Sequence, residues 1–192
     1  MVKGRIFILS GPSGSGKTTL HKRLIFSRRF KGKLVKSLSA TTRPKRIGEK
    51  HGRDYLFLSK KKFDALRKKN KFLEWQKVFD SYYGTLRSVV EKLLKQGFSV
   101  LLCIDVKGAR IVHRQFPGCV RIFIKTPSLR ILKQRLEKRG TESVEDLKLR
   151  LSIAKDELQE EKKYDYVIVN DHLAHAYKRL ESIMGLELKK GK

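Results

Sequence analysis

The residues Gly11-Pro12-Ser13-Gly14-Ser15-Gly16-Lys17-Thr18 follow the spacing G-x-x-x-x-G-K-[ST], between an apolar run and a helical pattern. Glycines at these positions let successive backbone N–H groups turn inward on a phosphate, and the helix that follows adds its N-terminal dipole. The predicted chemistry is binding of a nucleoside triphosphate, with Lys17 on the β and γ phosphates and the Thr18 hydroxyl on Mg2+. Such a site also needs a carboxylate at the end of a neighbouring buried strand. Asp105, after Ser99-Val100-Leu101-Leu102-Cys103-Ile104, is the candidate; away from the Gly-rich loop it would read as a turn residue.

A second constellation starts at Ser39. Arg43 and Arg46 lie three apart on a stretch punctuated by Pro44, Gly48 and Gly52 and followed by Tyr55. Guanidinium forks match phosphate oxygens, so this loop can clamp one phosphate from several sides. Glu74 stands in Phe72-Leu73-Glu74-Trp75. A carboxylate among aromatics is costly unless it meets donors, and the N1–H and N2 amino group of guanine present two adjacent ones. Adenine has no such edge. Taken singly, the arginines read equally well as a solvated basic loop and Glu74 as a strand-edge acid.

These groups need rigid supports. Short β-branched or aromatic runs alternate with helical patterns, which predicts an α/β fold with a doubly wound parallel sheet of about five strands and helices on both faces. Strands are predicted over 5–10, 99–104, 120–124 and 166–169. A first helix over 17–30 carries Leu20, Leu24 and Ile25. Thr85 is placed as the N-cap of another, in which Leu86, Val89, Val90, Leu93 and Leu94 follow i, i+3, i+4, i+7, i+8 up to Gly97. Between them, apolar runs at 55–58 and 72–75 flank a charged helix at 60–70, an inserted α+β subdomain. The polar stretch 129–163 is broken at Gly140 into two helices meeting at a corner. A last helix spans 173–184, before a Lys-rich tail expected to fray.

Composition sets the outer bounds. A chain of 192 residues supports one compact domain with inserted subdomains. With 46 Lys+Arg against 19 Asp+Glu, the net charge of +27 asks for an anionic ligand or partner. Cys103 and Cys119 fall in apolar runs outside any metal-ligand spacing and read as buried free thiols of a reducing, cytoplasmic setting. No apolar run approaches the roughly 20 residues that span a bilayer. The apolar core after Lys3 and Arg5 is shorter than that of a signal peptide, so a soluble protein without a membrane partner is expected.

The Gly-rich loop, the S-x-T-T-R-x-x-R-x-G-E-x-x-G-x-D-Y-x-F run over 39–57, Leu73-Glu74-Trp75 and Tyr82-Tyr83-Gly84-Thr85 together resemble the guanylate kinase family. So do Gly108-Ala109 after Asp105, the run 135–142, Arg150-Leu151 and Val169-Asn170-Asp171, over nearly the whole chain and in the family's order. The resemblance implies a P-loop kinase fold with a core (1–35, 86–134 and 158–192), a GMP-binding insert (36–85) and a helical lid (135–157). It implies Mg2+-dependent transfer of the γ-phosphoryl group of ATP to GMP, and to dGMP, giving ADP and GDP in purine nucleotide recycling. By similarity Arg43, Arg46, Tyr55 and Tyr83 hold the GMP phosphate. Ser39, Glu74 and Thr85 read the guanine edge, with Asp105 alongside. Thr19 joins the loop residues in holding ATP, Arg135, Arg139 and Arg150 neutralise the transferring group from the lid, and Asn170 lies near the adenine end.

Two departures from the family pattern stand out. Relatives usually show D-x-D-x-Q-G where this chain has Cys103-Ile104-Asp105-Val106-Lys107-Gly108. A thiol does not replace a carboxylate on Mg2+ or guanine at neutral pH unless it ionises, so metal handling or guanine affinity is expected to weaken while Asp105 keeps its place. His172 stands where an acid often follows Asn-Asp, and reads as a surface residue. A binding module on the same fold could discard Lys17, Thr18 and the lid arginines, all present here. Lys60-Lys61-Lys62 and Arg67-Lys68-Lys69 raise nucleic-acid binding, but Phe63 and Leu66 among them point to a subdomain core. No dedicated nucleic-acid partner is expected, only weak, salt-sensitive attraction to polyanions. Transfer to dGMP or to a phosphorylated sugar stays open, since nothing in the chain rejects deoxyribose. No feature of the sequence sets an oligomeric state.

Overall fold

The computed structural model describes residues 4–78, 80–138 and 144–190. The chain runs through β1 (Ile6–Ser10), α1 (Lys17–Ile25) and β2 (Leu34–Lys36), then β3 (Ser39–Thr41), β4 (Leu56–Phe57), α2 (Lys60–Lys68), β5 (Phe72–Val78) and β6 (Ser81–Leu86). It continues as α3 (Arg87–Lys95), β7 (Ser99–Cys103), α4 (Val106–Gln115), β8 (Val120–Lys125), α5 (Leu129–Glu137), α6 (Val144–Gln159), β9 (Tyr166–Val169) and α7 (Leu173–Lys190). A five-stranded sheet has the order β2-β7-β1-β8-β9, every pair parallel. The second sheet, β4-β3-β6-β5, pairs β3 with β4 in parallel and β6 with both neighbours antiparallel. This is the predicted parallel α/β fold, with β2 as the edge strand that periodicity did not mark.

Alternation along β1 divides the core. Phe7 and Leu9 pack with Leu20 and Leu24 of α1 and with Leu180 and Met184 of α7, while Ile6 and Ile8 face Val90 of α3 and Ala109 and Val112 of α4. Each buried aliphatic side chain of this kind contributes roughly 1.5–3 kcal/mol by leaving water. Such a core holds the strand ends still. The carboxyl ends of β1 and β7 lie side by side, with Leu9 opposite Cys103, so the loops opening at Gly11 and Asp105 emerge next to each other. Open α/β sheets bind ligands there.

Several boundaries differ from expectation. The first helix ends at Ile25, and Arg28–Phe30 form a separate 3-10 turn. Thr85 is not a cap: it lies within β6, Leu86 takes the N-cap position of α3 without a side-chain bond, and the Thr85 hydroxyl is spent on Glu74. The stretch 129–163 divides into α5, α6 and a 3-10 turn at Glu160–Lys163, while Gly140, the expected break, lies outside the described residues. Helix α7 runs past 184 because Glu187 is buried there as acceptor to Arg5 (3.0 Å), Tyr166 (2.7 Å) and Lys190 (2.7 Å). Among the described residues no helix is long and apolar enough to cross a membrane.

Candidate functional site

The loop between β1 and α1 is closed on itself. Gly11, Gly14 and Gly16 have φ of 129°, 87° and 94°, the region that favours glycine. Space demands it as well, since a Cβ on Gly11 would meet the Ile124 carbonyl oxygen at 2.1 Å and one on Gly16 the Asn170 amide nitrogen at 2.2 Å. Ser13, Gly14, Gly16, Lys17, Thr18 and Thr19 line a depression over the start of α1. The Lys17 ammonium folds back across the loop, donating to the carbonyls of Gly11 (2.5 Å) and Pro12 (2.8 Å). Asn170 closes the loop from below: its amide donates to the Ser15 carbonyl at 2.7 Å, in a buried setting. Arg135 of α5 in turn donates to the carbonyls of Asn170 (2.9 Å) and Asp171 (3.2 Å).

The second sheet lines up the other constellation. Ser39 of β3 stands opposite Thr85 of β6, and Thr85 opposite Glu74 of β5, so the three occupy one row. Two residues along, Thr41 pairs with Tyr83 and with Phe57 of β4. A register shift between Phe72 and Glu74 creates this row. The extra residue of such a bulge turns the strand over. Phe72 and Trp75 thus both reach the cluster around Phe63, while Leu73 packs beside Val90 and Ala109. Glu74 accepts the Thr85 hydroxyl at 2.6 Å and is only 6% exposed.

Arg43 follows the end of β3 and is held bidentately by Glu49, both contacts at 2.9 Å. Its guanidinium lies 5.7 Å from the Tyr55 ring, which meets Tyr83 edge to face at 6.2 Å. Arg46 is exposed, and its backbone N–H also donates to Glu49 (2.9 Å). One carboxylate therefore shapes the arginine loop. Sequence reasoning had no role for Glu49, though it lies inside the 39–57 run.

Asp105 joins the two constellations. It caps α4, accepting the Gly108 N–H at 2.7 Å. Burial raises its pKa, with the Gly108 bond and the charges of Lys107 and Lys17 holding it back. Glu74 reaches the same helix turn, since a Cβ built on Gly108 falls 2.8 Å from Glu74 Oε2. Burial pushes the Glu74 carboxyl up to about 7, against the Thr85 bond and assisted by the charge of Asp105. Beside them the Cys103 thiol is raised by burial, against the nearby Lys17 ammonium and the Thr18 hydroxyl. It stays a thiol and supplies no anionic ligand.

Helix α6 approaches the Gly-rich loop from another side. Arg150 donates to the Ser13 hydroxyl at 3.4 Å, and Ala154 is buried against Leu132 and Leu136 of α5. Glu157, seven residues beyond Arg150 and so on the same helix face, is half-buried. Its carboxyl is pushed up to about 7 by burial, with Lys17, Asp105 and Lys107 within electrostatic range. The sequence reading missed this carboxylate; its seven-residue offset from Arg150 was the signal available. Arg139 lies outside the described residues.

Comparison with known proteins points the same way. The family model described as guanylate kinase matches residues 3–187. A guanylate kinase of Rickettsia felis is 45% identical over 188 residues, covering 98% of this chain and 96% of that protein. One of Prochlorococcus marinus is 40% identical, covering 96% of this chain and 98% of its own length. A crystal structure of guanylate kinase from Anaplasma phagocytophilum superposes with a TM-score of 0.75 at 32% identity, over 98% of this chain and 88% of that one. A family model over residues 3–187 and relatives matched over almost their whole lengths show that the chain belongs to the guanylate kinase family.

Proposed function

We propose a division of labour among the residues above for the family's reaction, transfer of the γ-phosphoryl group of ATP to GMP, giving ADP and GDP. The substrates are ATP and GMP. The loop from Gly11 to Thr18, with Thr19, takes the ATP phosphates on its inward N–H groups, and Lys17 exchanges its bonds to Gly11 and Pro12 for phosphate oxygens. Asn170 acts through the loop it closes. In the insert, Glu74, Thr85 and Ser39 read guanine, while Arg43, Arg46, Tyr55 and Tyr83 hold the acceptor phosphate. Arg150, Arg135 and Arg139 supply positive charge from the lid side. Phosphoryl transfer asks for positioning and charge stabilisation rather than a covalent intermediate, and this residue set provides both.

Mg2+ fits the donor set. The Thr18 hydroxyl and the Asp105 carboxylate are hard oxygen ligands, and the Cys103 thiol, raised by burial against the charge of Lys17 and the Thr18 hydroxyl, stays neutral and does not compete. Bound there, the ion would neutralise charge on the ATP phosphates. The two separate sheets and the helices that carry Arg135 and Arg150 support a division into core, acceptor insert over 36–85 and lid over 135–157. Deoxyribose is tolerated in this reading, because the recognition row addresses the base. Two free cysteines suit a reducing, cytoplasmic setting.

One observation carries this assignment: the row Ser39–Thr85–Glu74 meets Asp105 at the first turn of α4, within electrostatic range of Lys17. The test is ADP release from ATP and Mg2+ with GMP, dGMP, AMP, UMP or no acceptor. Turnover should be confined to guanine acceptors and vanish in Lys17→Ala. Glu74→Gln should raise KM for GMP by about tenfold or more and leave KM for ATP within twofold, through loss of the acceptor paired with N1–H and N2. Equal losses for both nucleotides would remove Glu74 from base reading.

A further inference from the structure

We infer that Gly108 is a specificity-determining residue for the acceptor base, present as glycine because the first turn of α4 is the floor on which the Glu74 carboxyl rests. The inference relies on Glu74 reading guanine. Gly108 is helical, and nothing in its backbone conformation demands glycine, since its φ is not among the positive ones. Alanine is the better helix former, so the missing Cβ works against α4. What excludes a Cβ is outside the helix. It would stand 2.8 Å from Glu74 Oε2, 3.3 Å from Glu74 Cδ and 3.3 Å from Asp105 Oδ1.

Ordinary van der Waals contact begins near 3.4 Å, so the carboxyl oxygen would have to retreat by about 0.6 Å. That retreat is not free. The other oxygen, Oε1, is fixed by the Thr85 hydroxyl at 2.6 Å, and Glu74 is enclosed by the insert and α4. A bidentate acceptor for two adjacent guanine donors tolerates displacements of about 0.5 Å before its geometry fails. The fold therefore survives a methyl group at 108, and recognition of the base does not.

The experiment compares Gly108→Ala, Glu74→Asp and the double variant with GMP and with inosine monophosphate, which lacks the N2 amino group. Gly108→Ala should raise KM for GMP about tenfold and narrow the preference for GMP over inosine monophosphate by a similar factor. KM for ATP and the Mg2+ dependence should stay within twofold, and Tm should be equal or higher. In the Glu74→Asp background, where the carboxyl is one methylene shorter, adding Gly108→Ala should cost nothing further. An unchanged GMP KM in Gly108→Ala, while Glu74→Gln raises it, overturns the inference alone. Parallel losses toward ATP and GMP with a fall in Tm assign Gly108 to packing and also overturn it. An unchanged GMP KM in Glu74→Gln removes the base-reading role and this inference with it.

Discussion

At the scale of single residues, Glu74 carries the most chemistry in the least space. It is buried beside Asp105, with the Thr85 hydroxyl bonded to its side chain, and its pKa rises to about 7. Guanine presents N1–H and N2–H donors, so in the proposed base-reading role it binds the ionised carboxylate and releases a proton from whatever fraction is protonated. Lowering the pH below about 7 should therefore raise KM for GMP, approaching tenfold per pH unit, while KM for ATP follows a different course. A pH series of GMP KM checks this, and in Glu74→Gln that dependence should flatten. The same raised value makes the empty protein less stable as pH rises from the unfolded value of 4.5 through 7, because the folded state holds the proton more tightly. The Gly-rich loop, Asp105 and Glu74 were all legible as chemistry in the sequence. Glu157 was not, because its partners Lys17, Asp105 and Lys107 approach it only in three dimensions.

At the scale of elements, patterns set by local spacing came through and those set by pairing did not. The strands at 99, 120 and 166 and the Val90 face of α3 are visible as periodicity, because burial on a sheet or against one imposes it. The bulge in β5 left no such trace, yet it decides that Glu74 rather than Leu73 stands opposite Thr85. Thr85, expected to cap α3, lies instead in the Ser39–Thr85–Glu74 row. The end of α7 shows the same limit. Glu187 looks like one more surface acid, but it is 5% exposed and bonded to Arg5, Tyr166 and Lys190, tying the last helix to the first and last strands of the core. Burial would raise its pKa, and the bonds from Lys190, Tyr166 and Arg5 outweigh that and lower it. A lowered pKa contributes stability above the unfolded value, lost as pH falls through the folded one. Glu187→Ala should cost about 2 kcal/mol at pH 7, with Arg5 and the Tyr166 hydroxyl losing a shared acceptor. A thermal melt would register this as a drop of several degrees, shrinking only once the pH falls below the unfolded value of 4.5, whereas a purely packing role would leave the difference constant.

For the whole molecule, charge is the property that the site explains least. Lys17, Arg43, Arg46, Arg135, Arg139 and Arg150 face phosphates in the proposed reaction, a small part of the 46 basic residues. Helix α2 shows where the remainder goes. Phe63 is fully buried, stacked on Phe72 at 4.4 Å, and Arg67 is spent on Asp64 and the Trp75 ring. Lys60, Lys61, Lys62, Lys68 and Lys69 are exposed around that anchored face. This is a helix built to pack on one side and stay solvated on the other, without the interleaved aromatic groups that stack nucleobases. The expected consequence is a diffuse field that attracts any polyanion and draws ATP and GMP toward the site at low ionic strength. At 0.5 M salt the screening length falls below about 5 Å, and a field of this kind no longer holds a polymer. Retention on heparin or single-stranded RNA should therefore be lost well before that concentration, with KM for both nucleotides rising as salt is added. Retention persisting beyond it would require a shaped groove with specific contacts, and substituting Lys60, Lys61 and Lys62 together would locate it.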